Sequence, residues 1–334
     1  MHLADYIVSN SLHINSRCLR YLADSHGRLQ DDPDDLLELS VDAQPVLAEN
    51  TLIRDARRLL SMWRSVIADE DLADERMLLH YDRLHDVVQD LQSSMAPLRL
   101  GLRLASLAAE EEDAQNLLTV VRALPRRPRI AWGDLNEEFT RDSAMWRDVE
   151  LFSHLSDKQL VGGFARQYRK AVKPLGKLNE ELQEPTEARR ALTNRLRKVG
   201  DRSQLVAHQL ELLRPGLSDK LKRQHWHLDK FADAYRTLAS LLELRLLIDE
   251  SVAMPRPTRL DKHVARDSQA YLDGQVLKLR KRMQRLMDPA FAVKPKRYDV
   301  WIAGALTKLG LVDVTLLSSR RQVAAVETTL PVDA

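Results

Sequence analysis

Apolar residues recur at intervals of three and four along nearly the whole chain, and that period admits helices and little else. In segment 47–67, for example, Leu52, Leu59, Leu60, Trp63 and Val66 fall towards one side of a helix. Only 11 of the 334 residues are glycine and 5% are aromatic, which suits packed helices better than sheets. The period predicts helices over 2–24, 47–67, 72–94, 98–109, 113–124, 157–183, 186–213, 219–250, 260–287 and 295–309, with one short helix inside 137–156. Breaks are expected at Pro33 and Pro45, at Pro97, across Pro125 to Asn136, at Arg214-Pro215-Gly216 and at Gly310. Thr186 and Ser218 stand where caps are needed. Residues 311–334, rich in Val and Thr without a helical period, are expected to form an extended or disordered tail.

The formal charge of +2 conceals a division. Residues 1–150 hold 17 Lys+Arg against 28 Asp+Glu, whereas residues 151–334 hold 34 against 21. An acidic helical domain over 1–150 and a basic one over 151–310 are therefore expected, with a polyanion preferring the second. Arg outnumbers Lys by 37 to 14, and the planar guanidinium fork matches phosphate oxygens. The single cysteine, Cys18, excludes an internal disulfide and any cysteine-based zinc site. The start, Met1–Asn10, lacks a basic residue ahead of an apolar run, so no signal peptide is expected. No stretch approaches the roughly 20 apolar residues of a membrane span. A cytoplasmic setting is the expectation.

The cations are arranged in stripes. Arg166, Arg169, Lys170 and Lys173 stand at i, i+3, i+4 and i+7, on one helix face. Lys278, Lys281, Arg282 and Arg285 repeat that spacing, with Val276, Leu279, Met283 and Leu286 as the apolar side. Arg195, Lys198 and Arg202 make a third stripe, and Arg54, Arg57 and Arg58 a fourth in the acidic half. No acid interrupts Gly163–Lys173 or Val276–Arg285. Like charges one turn apart cost a helix roughly 0.2–0.5 kcal/mol per pair. A polyanion would convert that repulsion to attraction and release counterions.

At these residues the chain resembles the CHAD family, the conserved histidine α-helical domains. Ile53-Arg54-Asp55-Ala56-Arg57-Arg58-Leu59-Leu60, with Arg64 beyond, is similar to the family's first basic helix. Leu84 to Leu91 resembles its next helix, and Gly163 to Lys173 its G-L-x-R-x-Y-R-R-x-R-K helix. The stretch from Leu196 to Leu213 resembles a later basic helix, and Val293-Lys294-Pro295-Lys296 the family's E-K-P-K segment. Arg54 replaces the family's first histidine, and Ser61 and Met62 stand where two further cations are usual. The resemblance implies two four-helix bundles related by a pseudo-twofold axis around a central basic channel. It also implies binding of inorganic polyphosphate and, in some members, association with polyphosphate granules. Arg54, Arg57, Arg58, Arg64, Arg166, Arg169, Lys170, Lys173, Lys294 and Lys296 are the residues it assigns to the polyanion.

No Walker loop, dinucleotide glycine fingerprint or nucleophile elbow occurs, so catalysis, a cofactor and a metal are not expected. His225 and His227 point about 200° apart on a helix, too divergent to share a metal easily. His80, Asp82, His85 and Asp86 read as an ordinary polar face. Besides polyphosphate binding, two functions remain open. One is a structural adaptor that keeps the fold without the ligand. The other is a nucleic-acid or nucleotide-phosphate binder, disfavoured by the scattering of Trp63, Trp132, Trp146, Trp226 and Trp301.

Overall fold

The computed structural model describes residues 2–25, 44–67, 73–108, 132–183, 190–253 and 262–311. Every regular element among them is helical. In chain order these are α1 (Leu3–Ser25), α2 (Gln44–Val66), α3 (Glu75–Ala108), α4 (Trp132–Arg147), α5 (Asp157–Val172), α6 (Leu175–Gln183), α7 (Arg190–Leu212), α8 (Asp219–Ala253), α9 (Lys262–Ala290) and α10 (Pro295–Lys308). Short 3-10 turns lie at Val149–Leu151 and Arg214–Gly216. No helix among the described residues is long and apolar enough to cross a membrane. The expected helix over 113–124, the Thr186 cap and the tail from 312 lie outside the described residues.

Three boundaries differ from expectation. Pro97 does not interrupt α3, because a proline removes one N–H and bends a helix without having to end it. Pro174 does divide the expected 157–183 helix into α5 and α6. Without an N–H it cannot bond the Lys170 carbonyl, and its ring crowds that carbonyl. Helix α4 starts at Trp132, inside the stretch expected to break.

Helix α5 begins with a capping box. The Gln159 N–H donates to Ser156 Oγ at 3.3 Å, and the Ser156 N–H donates to Gln159 Oε1 at 2.8 Å. The expected apolar positions Leu52, Leu59, Leu60, Trp63 and Val66 of α2 are buried, with Leu59 and Trp63 fully enclosed. Around them α1 packs on α2 and α4, and α3 packs on the same two. In the basic half α7 packs on α5 and α8, α8 on α9, and α10 on α5. Helix α2 also meets α5 and α7, which joins the halves. The α7–α8 contact is close enough that a Cβ on Gly200 would sit 2.5 Å from the Tyr235 ring, so glycine is required there.

Two buried polar centres tie the helices together. The Asp142 carboxylate, fully buried on α4, accepts from Trp63 Nε1 at 2.5 Å, His80 Nε2 at 3.0 Å and Asn15 Nδ2. Helices α1, α2, α3 and α4 therefore meet at one side chain. In the second half Tyr168 stacks on Tyr298 at 3.9 Å, its hydroxyl donating to the Val293 carbonyl and accepting from Gln224 Nε2. Burial pushes the Tyr168 phenol up to about 12.

Candidate functional site

Where α2, α3, α5, α7 and α8 converge, they leave a cleft of about 400 Å³. Each helix offers it one face. From α2 come Arg57, Leu60, Ser61 and Arg64; from α5 come Gln167 and Lys170. Helix α7 gives Arg197, Lys198, Asp201, Arg202, Gln204, Leu205 and His208, a broad stripe at helical spacing. Helix α8 gives Arg236, Ala239, Ser240 and Glu243. Helix α3 gives Tyr81, His85, Gln89 and Gln92, at i, i+4, i+8 and i+11.

Seven cations (Arg57, Arg64, Lys170, Arg197, Lys198, Arg202 and Arg236) thus face two carboxylates, Asp201 and Glu243. Each carboxylate already holds an arginine. Asp201 accepts from Arg57 Nη2 at 2.8 Å, and Glu243 pairs with Arg197. Arg57 also donates to Gln204. Burial, and then the charge of Arg64, lower the Arg202 pKa. Burial likewise lowers that of Arg236, whose guanidinium lies 3.9 Å from Asp233. Arg202 Nη1 donates at 3.2 Å to the Lys170 carbonyl, the acceptor that Pro174 cannot serve. The helix break therefore helps position a cleft cation. The Arg64 guanidinium lies 5.4 Å from the Tyr81 ring centre. Lys198 is exposed and forms no ion pair among the described residues.

His208 closes the floor. It is buried, with Nδ1 at 3.2 Å from Ser61 Oγ. Ser61 Oγ itself donates to the Arg57 carbonyl at 2.8 Å. Desolvation, and then Arg58, Arg57 and Arg236, hold the His208 pKa well below 6.5. In the unfolded chain the ring titrates near 6.5. The unfolded state thus binds a proton first, and stability is fully present above about pH 6.5. It is lost as pH falls through the lowered folded value. Urea melts at pH 7.5 and 5.5 should show wild type losing at least about 1 kcal/mol more than His208→Asn, whose amide can still hydrogen-bond Ser61. Equal losses would mean that other groups control acid sensitivity.

The structure brings five of the sequence-derived cations into this cleft: Arg57, Arg64, Lys170, Lys198 and Arg202. The others lie elsewhere. Arg54 is half-exposed beside Asp55, and Arg58 is held by Asp55 at 3.0 Å and Glu211 at 3.1 Å. Arg169 pairs with Asp299, and Arg195 with Glu181. Arg166 and Lys173 do not line the cleft. Lys278, Lys281, Arg282 and Arg285 are all exposed on α9, which packs on α8 and α6. Lys294 and Lys296 are exposed at the start of α10. Stripe counting missed Arg197 and Arg236. Arg197 is the immediate neighbour of Lys198, a signal that could have found it, whereas Arg236 has acids on both sides at Asp229, Asp233 and Glu243. His80, expected on a polar face, is instead buried against Asp142. Among the described residues no group of three metal-ligating side chains occurs. Comparison with known protein families, with curated proteins and with solved structures finds no match.

Proposed function

We propose that this cleft binds inorganic polyphosphate without catalysis, in a divergent CHAD-like fold. The observation that carries the reading is the convergence of seven cations, from both halves of the chain, on one concave surface with two carboxylates. Set against Asp201 and Glu243, the lining residues hold five more Lys and Arg cations than carboxylates. Phosphate oxygens would accept charge-assisted hydrogen bonds from these cations and relieve their mutual repulsion. The mutual packing of α1–α4 suits one of the two bundles that the family resemblance implies. A cytoplasmic site, with association to polyphosphate granules, follows from the same reading.

The test is affinity for long-chain polyphosphate beside duplex and single-stranded DNA, across a range of salt. Polyphosphate should bind best. With five contacts, log affinity should fall against log salt with a slope of about −3 to −4. No binding to any of them would favour the adaptor reading, and tighter binding of either DNA would favour a nucleic-acid partner.

A further inference from the structure

The cleft has two chemically different walls, and a chain of inorganic phosphate uses only one. All seven cations stand on α2, α5, α7 and α8. The α3 wall carries none: it presents Tyr81, His85, Gln89 and Gln92 on one helix face. Gln167 from α5 and Ser240 from α8 add further uncharged polar groups. Inorganic phosphate at neutral pH offers mainly acceptors, so it calls for donors. A glutamine amide carries a donor and an acceptor side by side. That pair matches the edge of a nucleobase, which also alternates donors and acceptors. Flat groups already lie close together at this wall. The Tyr81 and His85 ring centres are 5.9 Å apart and inclined by 31°, and the Arg64 guanidinium lies over Tyr81. Aromatic rings and guanidinium planes are the surfaces on which bases stack. The volume of about 400 Å³ also suits a compact ligand.

We propose that the cleft takes a nucleoside polyphosphate, with its phosphate chain on the α5, α7 and α8 cations and its base against the α3 wall. This rests on the phosphate-chain reading above and names a ligand class for the same site. Charge alone predicts the opposite preference. A nucleoside triphosphate has one oxygen esterified and is less negative than inorganic tripolyphosphate of equal length. A cleft that reads only charge would therefore bind tripolyphosphate more tightly.

The experiment compares tripolyphosphate, adenosine triphosphate and guanosine triphosphate by calorimetric titration of the full chain at one ionic strength. At least one nucleotide should bind about tenfold tighter than tripolyphosphate. Gln89→Leu with Gln92→Leu should lower the affinity of that nucleotide about tenfold more than that of tripolyphosphate. Tyr81→Leu should act in the same sense. If tripolyphosphate binds and neither nucleotide binds more tightly, the base wall is refuted while the phosphate-chain reading stands. Equal weakening of both ligands by the α3 variants would also refute it. Failure of all three to bind would refute the nucleotide proposal, and the phosphate-chain reading would fall with it only if long-chain polyphosphate also failed to bind.

Discussion

Replacing Asp142 with alanine is expected to cost about 3–5 kcal/mol of stability, measured by urea denaturation. The carboxylate is fully buried and accepts from three side chains on three other helices. Its removal strands the Trp63 indole N–H, the His80 ring N–H and one N–H of the Asn15 amide, whose nitrogen keeps its bond to the Phe139 carbonyl, in a dry interior. Each stranded donor costs about 1–3 kcal/mol, and relaxation around the small cavity recovers part of the sum. Trp63 suffers further, because it is wedged between Trp146, at 4.1 Å between ring centres, and His80, at 5.2 Å. Asp142→Asn keeps one acceptor and should cost less. Asp134→Ala, exposed on the same helix, should change stability by less than about 0.5 kcal/mol. If Asp142→Ala and Asp134→Ala behaved alike, the carboxylate would not be the junction of the four helices.

The second large effect concerns binding. Lys170→Ala, Lys198→Ala and Arg202→Ala combined should weaken polyphosphate affinity roughly 100-fold. Hydrogen bonds to charged groups are worth more than the roughly 1 kcal/mol of a neutral one, so three lost contacts amount to about 3 kcal/mol. The salt slope should flatten by about 2 to 3. Circular dichroism should confirm retained helix, since Arg202 also serves the Lys170 carbonyl. The matching control removes four charges from α9, at Lys278, Lys281, Arg282 and Arg285, and should leave affinity within a few-fold. Were the α9 variant to bind as weakly as the cleft variant, the net charge of the basic half would be the determinant, and the cleft would lose its role.

These two sites were unequally legible from the sequence. The helical class and the buried side of α2 follow from apolar spacing, which is a local property. Lys170, Lys198 and Arg202 were within reach for the same reason. Spacing fixes which side chains share a face of a helix, and it leaves open which way that face turns within the molecule. The stripes on α5 and α9 have identical spacing, yet Val276, Leu279 and Met283 seat α9 with the Lys278, Lys281, Arg282 and Arg285 stripe exposed. On α5 only Lys170 reaches the cleft, while Arg169 goes to Asp299. The Asp142 junction left no local trace at all. Its donors lie 62, 79 and 127 residues away, and their meeting is a product of tertiary packing.

The pairing of Arg57 with Asp201 and of Arg197 with Glu243 has a consequence for selectivity. Two of the guanidinium groups are occupied before any anion arrives, so a single orthophosphate must compete with resident carboxylates for them. Such a small visitor would gain little, whereas a ligand long enough to touch several of the cleft cations at once would add its contacts together. Because those internal pairs also hold the floor in shape, less freedom is surrendered on arrival. If the cleft binds phosphate chains as proposed, its acids would act as a length filter, disfavouring abundant short anions relative to extended ones.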